Sequence, residues 1–314
     1  MHGQGSQSGI TVCVLTFNTD QILLEKCLGS IDVAAGRASC PIEVLLIDNG
    51  SKAVPAPRPM RYCKLNVLAN GENQGFGRAM NAAIRVASSE LVLLLNPDAE
   101  LDTQAFTVLA DASRQFPETA VFGGLLINNG EIQVDAYWIW FSSTQHFVGR
   151  YIRRRRWRVP IGTRTLEVEK VCGAALAGRR DELIQLGPFN EDFFLYGEDA
   201  DLSLRAKRAG FKLILLNELK VTHQAASSAQ THSGLVEQAR TDAMIRLQRL
   251  YLPKFMHAAA WLELGVISAI GLVVGGRSSY SRSSRVGRFK ELRRWGLRGM
   301  VPRFVPSIQK ASGE

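Results

Sequence analysis

The residues able to do chemistry in this chain collect where apolar segments stop. The sharpest case is Leu91-Val92-Leu93-Leu94-Leu95-Asn96-Pro97-Asp98, an apolar run of strand length halted by Asn-Pro-Asp. No polar residue interrupts the run, as in a strand buried on both faces. Pro97 lacks an N–H and restrains the residue before it, so pairing ends near Asn96. Asp98 then lies just past the carboxyl end of the strand, where open α/β sheets bind their ligands. A carboxylate on so short a turn suits a hard divalent cation carrying a diphosphate. It equally suits a helix cap, with Leu101-Asp102 opening the next helix.

A second collection is Tyr196-Gly197-Glu198-Asp199-Ala200-Asp201, three carboxylates crowded at one helix start. The helix dipole offsets part of their repulsion, and Asp201 can also pair with Arg205 at i+4. Asp48 heads a turn, Asp48-Asn49-Gly50-Ser51, at the end of another apolar run. Asn70 to Asn81 is a glycine-bearing turn opening a helix, whose first N–H groups can approach phosphate. It is neither a Walker loop nor the dinucleotide fingerprint. His223 ends a further apolar stretch, and a lone histidine there serves as a structural hydrogen-bonder or as a ligand. None of these groups falls inside a periodic apolar pattern, and loops at sheet edges carry sites.

The elements that must position them alternate. Ile10–Phe17, Ile42–Ile47, Lys64–Ala69, Leu91–Leu95 and Ala120–Ile127 read as strands. Asp20 caps a helix with Ile22, Leu23, Cys27, Leu28 and Ile31 on its apolar face, and helices follow over Ala79–Ala87 and Thr103–Gln115. This alternation predicts an α/β fold with a doubly wound, mostly parallel sheet. Residues 128–170 break the rhythm with Tyr137, Trp138, Trp140, Phe141 and Phe147, then the basic run from Arg150 to Arg158. They read as an insertion over one face of the sheet, outside the core. Strands and helices resume with Val171–Gly178, Arg180–Leu186, Asp201–Ala209 ending at Gly210, Lys212–Leu216 and Leu219–His223.

Composition narrows the class. An apolar share of 46% and a charged share of 21% over 314 residues are those of a globular protein. The five cysteines form no Cys-x-x-Cys pair, which points to reduced thiols in a cytoplasmic setting. Residues 1–9 are polar and Gly/Ser-rich, so they read as a disordered terminus and not as a secretory signal. From Arg277 onward ten Lys/Arg face two Glu, a surplus of +8 out of the total +9. Residues 236–276 carry amphipathic and apolar helices, and residues 277–314 a basic tail. Ala258–Val274 is apolar but interrupted by Glu263, leaving too little to span a bilayer, which needs about twenty apolar residues. A helix lying on an anionic membrane surface fits better, and a helix packed on the preceding domain is the other reading. Charge confined to one insertion and the tail argues against nucleic acid as a partner.

As an ordered set, Thr16-Phe17-Asn18, Asp48-Asn49-Gly50-Ser51, Asn73 to Asn81, Asn96-Pro97-Asp98, Tyr196 to Leu202, and His223 with Ser227 resemble the inverting glycosyltransferases of family 2, in their rhamnosyltransferase-like branch. The resemblance implies a GT-A catalytic domain over residues 10–235, interrupted at 128–170 and followed by a C-terminal helical, membrane-associating extension. It implies substrate contacts from Thr16, Asn18, Asp48, Asn73, Gly75, Phe76, Arg78, Asn81 and Asp201, with Asp48 on a pyrimidine base. Asp98 and His223 would hold Mg²⁺ or Mn²⁺, Asp199 would be the general base, and Glu198 would stand beside it. Asn96 takes the place of the first acid of the family's Asp-x-Asp, which removes one charge from the metal site. The implied activity moves a sugar, with dTDP-rhamnose the favoured donor, onto a polyprenyl-diphosphate-linked saccharide in cell-surface polysaccharide assembly. The enzyme would sit peripherally on the inner face of the cell membrane, with Arg153–Arg156 near the acceptor diphosphate and a homodimer left open. Another UDP- or dTDP-sugar as donor, a nucleotidyltransferase, and a silent sugar- or nucleic-acid-binding protein are the competing readings.

Overall fold

Thr11 to Leu15 lose essentially all exposure in the computed structural model, because β1 (Gln7–Thr16) is enclosed by parallel neighbours on both edges. The described residues are 7–117, 121–142, 145, 163–224, 233–274, 279–297 and 299–306. They divide into two units: Met1–Trp138, Val159–Asn190 and Asp199–Ala225 form the first, and Ile139–Arg158, Glu191–Glu198 and Ala226–Glu314 the second. Phe147, the run Arg150–Arg158, Ser227, residues 1–6 and parts of the basic tail lie outside the described residues.

In the first unit, β2 (Ile42–Asp48), β3 (Lys64–Ala69) and β4 (Ser89–Leu95) join β1 in the parallel order β3-β2-β1-β4. Their apolar runs are the ones legible in the sequence. The helix α1 (Gln21–Ala35) starts as expected, with the Asp20 carboxylate accepting the N–H groups of Ile22 and Leu23. Its buried face is Leu24, Cys27, Leu28 and Ile31, whereas Ile22, expected inside, is exposed. In α2 (Phe76–Val86), Ala79, Met80, Ala83 and Ile84 are buried as the spacing required.

Beyond β4 the sheet departs from the expectation of mostly parallel strands and becomes mixed. Residues 99–101, expected to lead into a helix, form the strand β5 (Ala99–Leu101), and α3 (Ala105–Gln115) begins after it. The strand β6 (Val121–Asn128) turns back through β7 (Glu131–Ile132), and β8 (Thr165–Glu167) follows. Then β9 (Ala175–Arg179) enters between β4 and β6, antiparallel to both. The reason is where the chain arrives: the Asn96 N–H donates to Ala174 O at the carboxyl end of β4, so β9 can only run down from that edge. After α4 (Arg180–Leu186) and α5 (Glu198–Arg208) comes one long strand, β10 (Leu213–His223). A register shift between Leu216 and Lys220 marks the point where the sequence suggests two strands. Among the described residues the sheet has ten strands, eight in the order β3-β2-β1-β4-β9-β6-β10-β5, with β7 on β6 and β8 on β10.

Two aromatic residues expected over a face of the sheet belong to the core instead. Tyr137 is fully buried and Trp138 nearly so. The Tyr137 hydroxyl accepts the Leu126 N–H at 2.6 Å and donates to Gly124 O at 3.0 Å, so the ring fills space while its oxygen satisfies β6. None of the five cysteines forms a disulfide, and burial, helped by Asp32, pushes the Cys63 thiol up to about 12. It is therefore a poor nucleophile near neutrality.

The second unit is helical among the described residues: α6 (Ser233–Tyr251), α7 (Lys254–Val274) and α8 (Ser279–Trp295). Ile245, Leu264, Leu292 and Trp295 form its core, with Phe194, Ala239 and Phe304 as a smaller cluster. At the crossing of α6 and α8, a side chain on Gly287 would meet Gly234 O at 2.1 Å, so only glycine allows the backbones this close. Asp242 accepts from the buried Arg246 at 3.1 Å, from the partly exposed Arg294, and from the buried Trp295 Nε1 at 3.0 Å. No helix among the described residues is long and apolar enough to cross a membrane.

Candidate active site

Parallel register places the ends of β1, β2 and β3 side by side, with Thr16 opposite Asp48 and Asp48 opposite Ala69. Three predicted residues therefore meet at this corner. Asp48 is almost fully buried, and its carboxylate accepts the Ser51 N–H at 3.2 Å. Asn18 takes a left-handed conformation (φ 49°), receives Lys52 N–H on its side-chain oxygen at 3.0 Å, and donates its own N–H to Ser51 Oγ at 2.8 Å. Thr16 is buried, and its hydroxyl has no hydrogen-bond partner among the described residues.

The organiser of the corner is Asn49, part of the Asp48–Ser51 turn but given no role of its own in the sequence. It is 3% exposed, and its Oδ1 accepts from Asn70 Nδ2 at 3.2 Å and Gln74 N at 3.1 Å. Its Nδ2 donates to Asn73 Oδ1 at 3.0 Å, which also receives the Gly75 N–H. One amide thus ties the β2 turn to the glycine turn that opens α2. Gly50 is obligatory beside it: φ is 83°, and a Cβ would lie 2.6 Å from the Glu72 carbonyl carbon.

The second cluster forms past β4 and β10. Antiparallel pairing sets His223 opposite Ala99, and Gln224 N donates to Asp98 O at 3.3 Å. His223 Nε2 then lies 3.4 Å from Asp98 Oδ1 and 3.3 Å from Asn96 Nδ2. The ring's other nitrogen, Nδ1, is 3.1 Å from Gln133 Oε1, and Gln133 Nε2 donates to His223 O at 2.8 Å. The side chains of His223 and Asp98 are 11% and 15% exposed, enclosed but reachable. Their chemistry suits a hard divalent cation, with one imidazole nitrogen and one carboxylate converging and the remaining positions left to diphosphate oxygens and water. Among the described residues no third His, Cys, Asp or Glu completes a protein-only cage.

The third cluster surrounds Asp199. Its Oδ1 accepts the Ala200 N–H at 2.7 Å. Its Oδ2 receives the Gly173 N–H at 3.4 Å and faces Lys170 Nζ at 3.3 Å. Gly173 precedes Ala174, the acceptor of Asn96 N–H, so this carboxylate sits near the Asn-Pro-Asp turn. Phe76 lines the same place, its ring 3.4 Å from where a Gly173 side chain would begin. Lys170 is a further residue the sequence did not single out, since a lysine at the end of an irregular stretch carries no pattern.

Other predicted residues are placed elsewhere. The Asn81 carboxamide donates to Phe189 O at 2.8 Å and accepts Phe189 N–H at 2.9 Å, so it staples a loop instead of facing a ligand. Asp201, 2% exposed, pairs with Arg205 at 2.8 Å, the structural alternative that i+4 spacing allowed. Arg205 in turn donates to the carbonyls of Leu186 and Pro188. Arg78 is exposed on α2, and Glu198 is buried in the second unit. Two clefts elsewhere on the first unit, beside α1 and beside α3, contain none of the predicted residues.

The model of glycosyl transferase family 2 matches residues 11–174, just over half of the chain. An N-acetylglucosaminyl-diphospho-decaprenol L-rhamnosyltransferase of Mycobacterium tuberculosis is 29% identical over 226 residues, 65% of this chain and 73% of that one. An O-antigen biosynthesis protein RfbC of Myxococcus xanthus is 27% identical over 158 residues, 47% of this chain but 12% of its own length. The crystal structure of GalNAc-T7 with UDP, GalNAc and Mn²⁺ superposes with a TM-score of 0.53 at 14% identity, over 90% of this chain. This chain spans 56% of that one, and the likeness is one of fold.

Proposed function

The chain belongs to glycosyl transferase family 2, a rhamnosyltransferase-like glycosyltransferase, and we propose that it is an inverting enzyme moving rhamnose from dTDP-rhamnose to a polyprenyl-diphosphate-linked N-acetylglucosamine. One observation carries this reading: Asp98 with His223, and Asp199, lie around one edge of one sheet, joined through the Asn96–Ala174 hydrogen bond.

The corner formed by Thr16, Asn18, Asp48 and the Asn49-ordered glycine turn would take the nucleoside, with Asp48 presented to the base. Asp98 and His223 would hold Mg²⁺ or Mn²⁺, which when bound neutralises charge on the diphosphate leaving group. Asp199 is the group that takes the proton from the acceptor hydroxyl as that oxygen bonds to the anomeric carbon. The bond from that carbon to the diphosphate breaks on the opposite face, which inverts the centre. Backbone N–H groups of Gly173 and Ala200 hold the Asp199 carboxylate in place for this transfer.

The second unit supplies the surface for a lipid-linked acceptor. On α7, Phe255, Leu262, Val266 and Ile270 are each more than half exposed, while Ala260, Leu264 and Ser268 face inward. No charged side chain between Phe255 and Ile270 is fully exposed. Lys254, Lys290 and Arg293 are exposed in the same unit and suit an anionic bilayer.

The test is transfer from dTDP-rhamnose, against UDP-sugars, to synthetic N-acetylglucosaminyl-diphospho-polyprenol with Mg²⁺ or Mn²⁺, the product's anomeric configuration being read by NMR. An inverted rhamnoside is expected. Turnover with a UDP-sugar alone would move the donor assignment, and a retained configuration would remove Asp199 from its role.

A further inference from the structure

Gln133 lies 90 residues from His223 in sequence and grips it twice. The backbone oxygen of His223 can only accept, so the end of the Gln133 amide facing it at 2.8 Å must be the NH₂ group. That leaves Oε1 facing Nδ1 at 3.1 Å, and an amide oxygen there requires Nδ1 to be the protonated nitrogen. The Nε2 lone pair is then turned toward Asn96 Nδ2 and Asp98. Gln133 is itself fixed, its N–H donating to Leu126 O at 2.9 Å at the β6–β7 turn.

We propose that Gln133 is a positioning residue that locks His223 in the Nδ1–H tautomer, so that Nε2 is offered as a cation ligand beside Asp98. The inference rests on the cation reading given above. In it, Asn96 acts as a placeholder: its NH₂ donates to Nε2 until a cation takes the lone pair. An aspartate at that position could not fill this role. A partner on the far nitrogen of a ligating histidine typically contributes about 10- to 100-fold in metal affinity.

The experiment joins nitrogen-15 NMR of the metal-free enzyme with Mn²⁺ titration by electron paramagnetic resonance in the presence of dTDP. Wild type is expected to show His223 as the Nδ1–H tautomer. Gln133→Leu should move it toward Nε2–H and weaken Mn²⁺ binding about 10- to 100-fold. Gln133→Glu, which keeps an acceptor for Nδ1–H but gives up the donation to His223 O, should restore the tautomer and most of the affinity, and it decides the matter if the leucine variant fails to fold. An Nε2–H tautomer in wild type, or unchanged Mn²⁺ affinity in Gln133→Leu while His223→Ala weakens it, overturns the role of Gln133 alone. Unchanged affinity in His223→Ala, or no binding by wild type, overturns the cation reading and this inference with it.

Discussion

The two units each bury a set of charged side chains, and the sets are built on opposite plans. In the second unit Asp242, Arg246 and Glu291 are between 0% and 3% exposed, and every charge faces another charge or a carbonyl. Arg246 and Arg294 also pack near the Trp295 ring, at 5.1 and 5.8 Å. In the first unit His223, Asp98, Asp199 and Lys170 stay 11–15% exposed, and Asp98 and Asp199 sit beside turns. Sealed charges act as internal fasteners, whereas paired but reachable charges keep room for an incoming ligand. Burial of polar groups alone therefore does not mark a site.

The comparison is broken most severely at Asp199. Asp199→Asn keeps the side chain's size and one acceptor oxygen, for either the Ala200 or the Gly173 N–H, but cannot take a proton. Turnover should drop about 100- to 10,000-fold at saturating substrate, with the fold retained by circular dichroism. A variant with wild-type turnover would reduce Asp199 to the same status as Asp242. Next comes Asp242→Ala, which strands Arg246 and Arg294 without their shared acceptor. Urea unfolding should register a loss of about 3–5 kcal/mol, the cost of breaking a buried pair.

A smaller effect separates neutral from charged organisation. Asn49→Ala removes the acceptor for Asn70 and Gln74 and should cost about 1–3 kcal/mol. It should raise the KM for the nucleotide sugar more than it lowers kcat, because it loosens the corner and leaves Asp199 untouched. The smallest change is expected at Glu291, whose carboxyl burial pushes up against the pull of Arg294. A raised folded-state value means the folded protein holds the proton more tightly than the unfolded chain, so stability falls as pH rises through that interval. Glu291→Gln should flatten that slope in urea melts taken from acidic to neutral pH, and an unchanged slope would assign it to another group.

Much of the first unit was legible because its strands are uninterrupted apolar runs and its turns carry their own chemistry. Leu91–Leu95 followed by Pro97 states where a strand ends, and Asp20 states where a helix begins. The antiparallel entry of β9 was not legible, since Val171–Gly178 reads the same in either direction. Tyr137 was misplaced because an aromatic in an irregular stretch gives no period, and only its hydrogen bonds to Leu126 N and Gly124 O on β6 tie it into the core. Of the site, Asp98 stood out at the end of its strand, the roles of His223 and Asp199 came from resemblance, and their clustering is a product of topology. Asn49 was left without a role, and Gln133 and Lys170 were missed, for one reason: each acts through partners 21 to 90 residues away, which no local pattern records.

The short antiparallel match of β5 with the end of β10 joins Asp98 to a residue far along the chain. A ribosome making this protein from its N-terminus exposes Asp98 long before His223. Until β10 has emerged and settled between β6 and β5, the nascent chain offers an isolated carboxylate with no imidazole beside it. Chains truncated before β10 should therefore lack this pairing of carboxylate and imidazole.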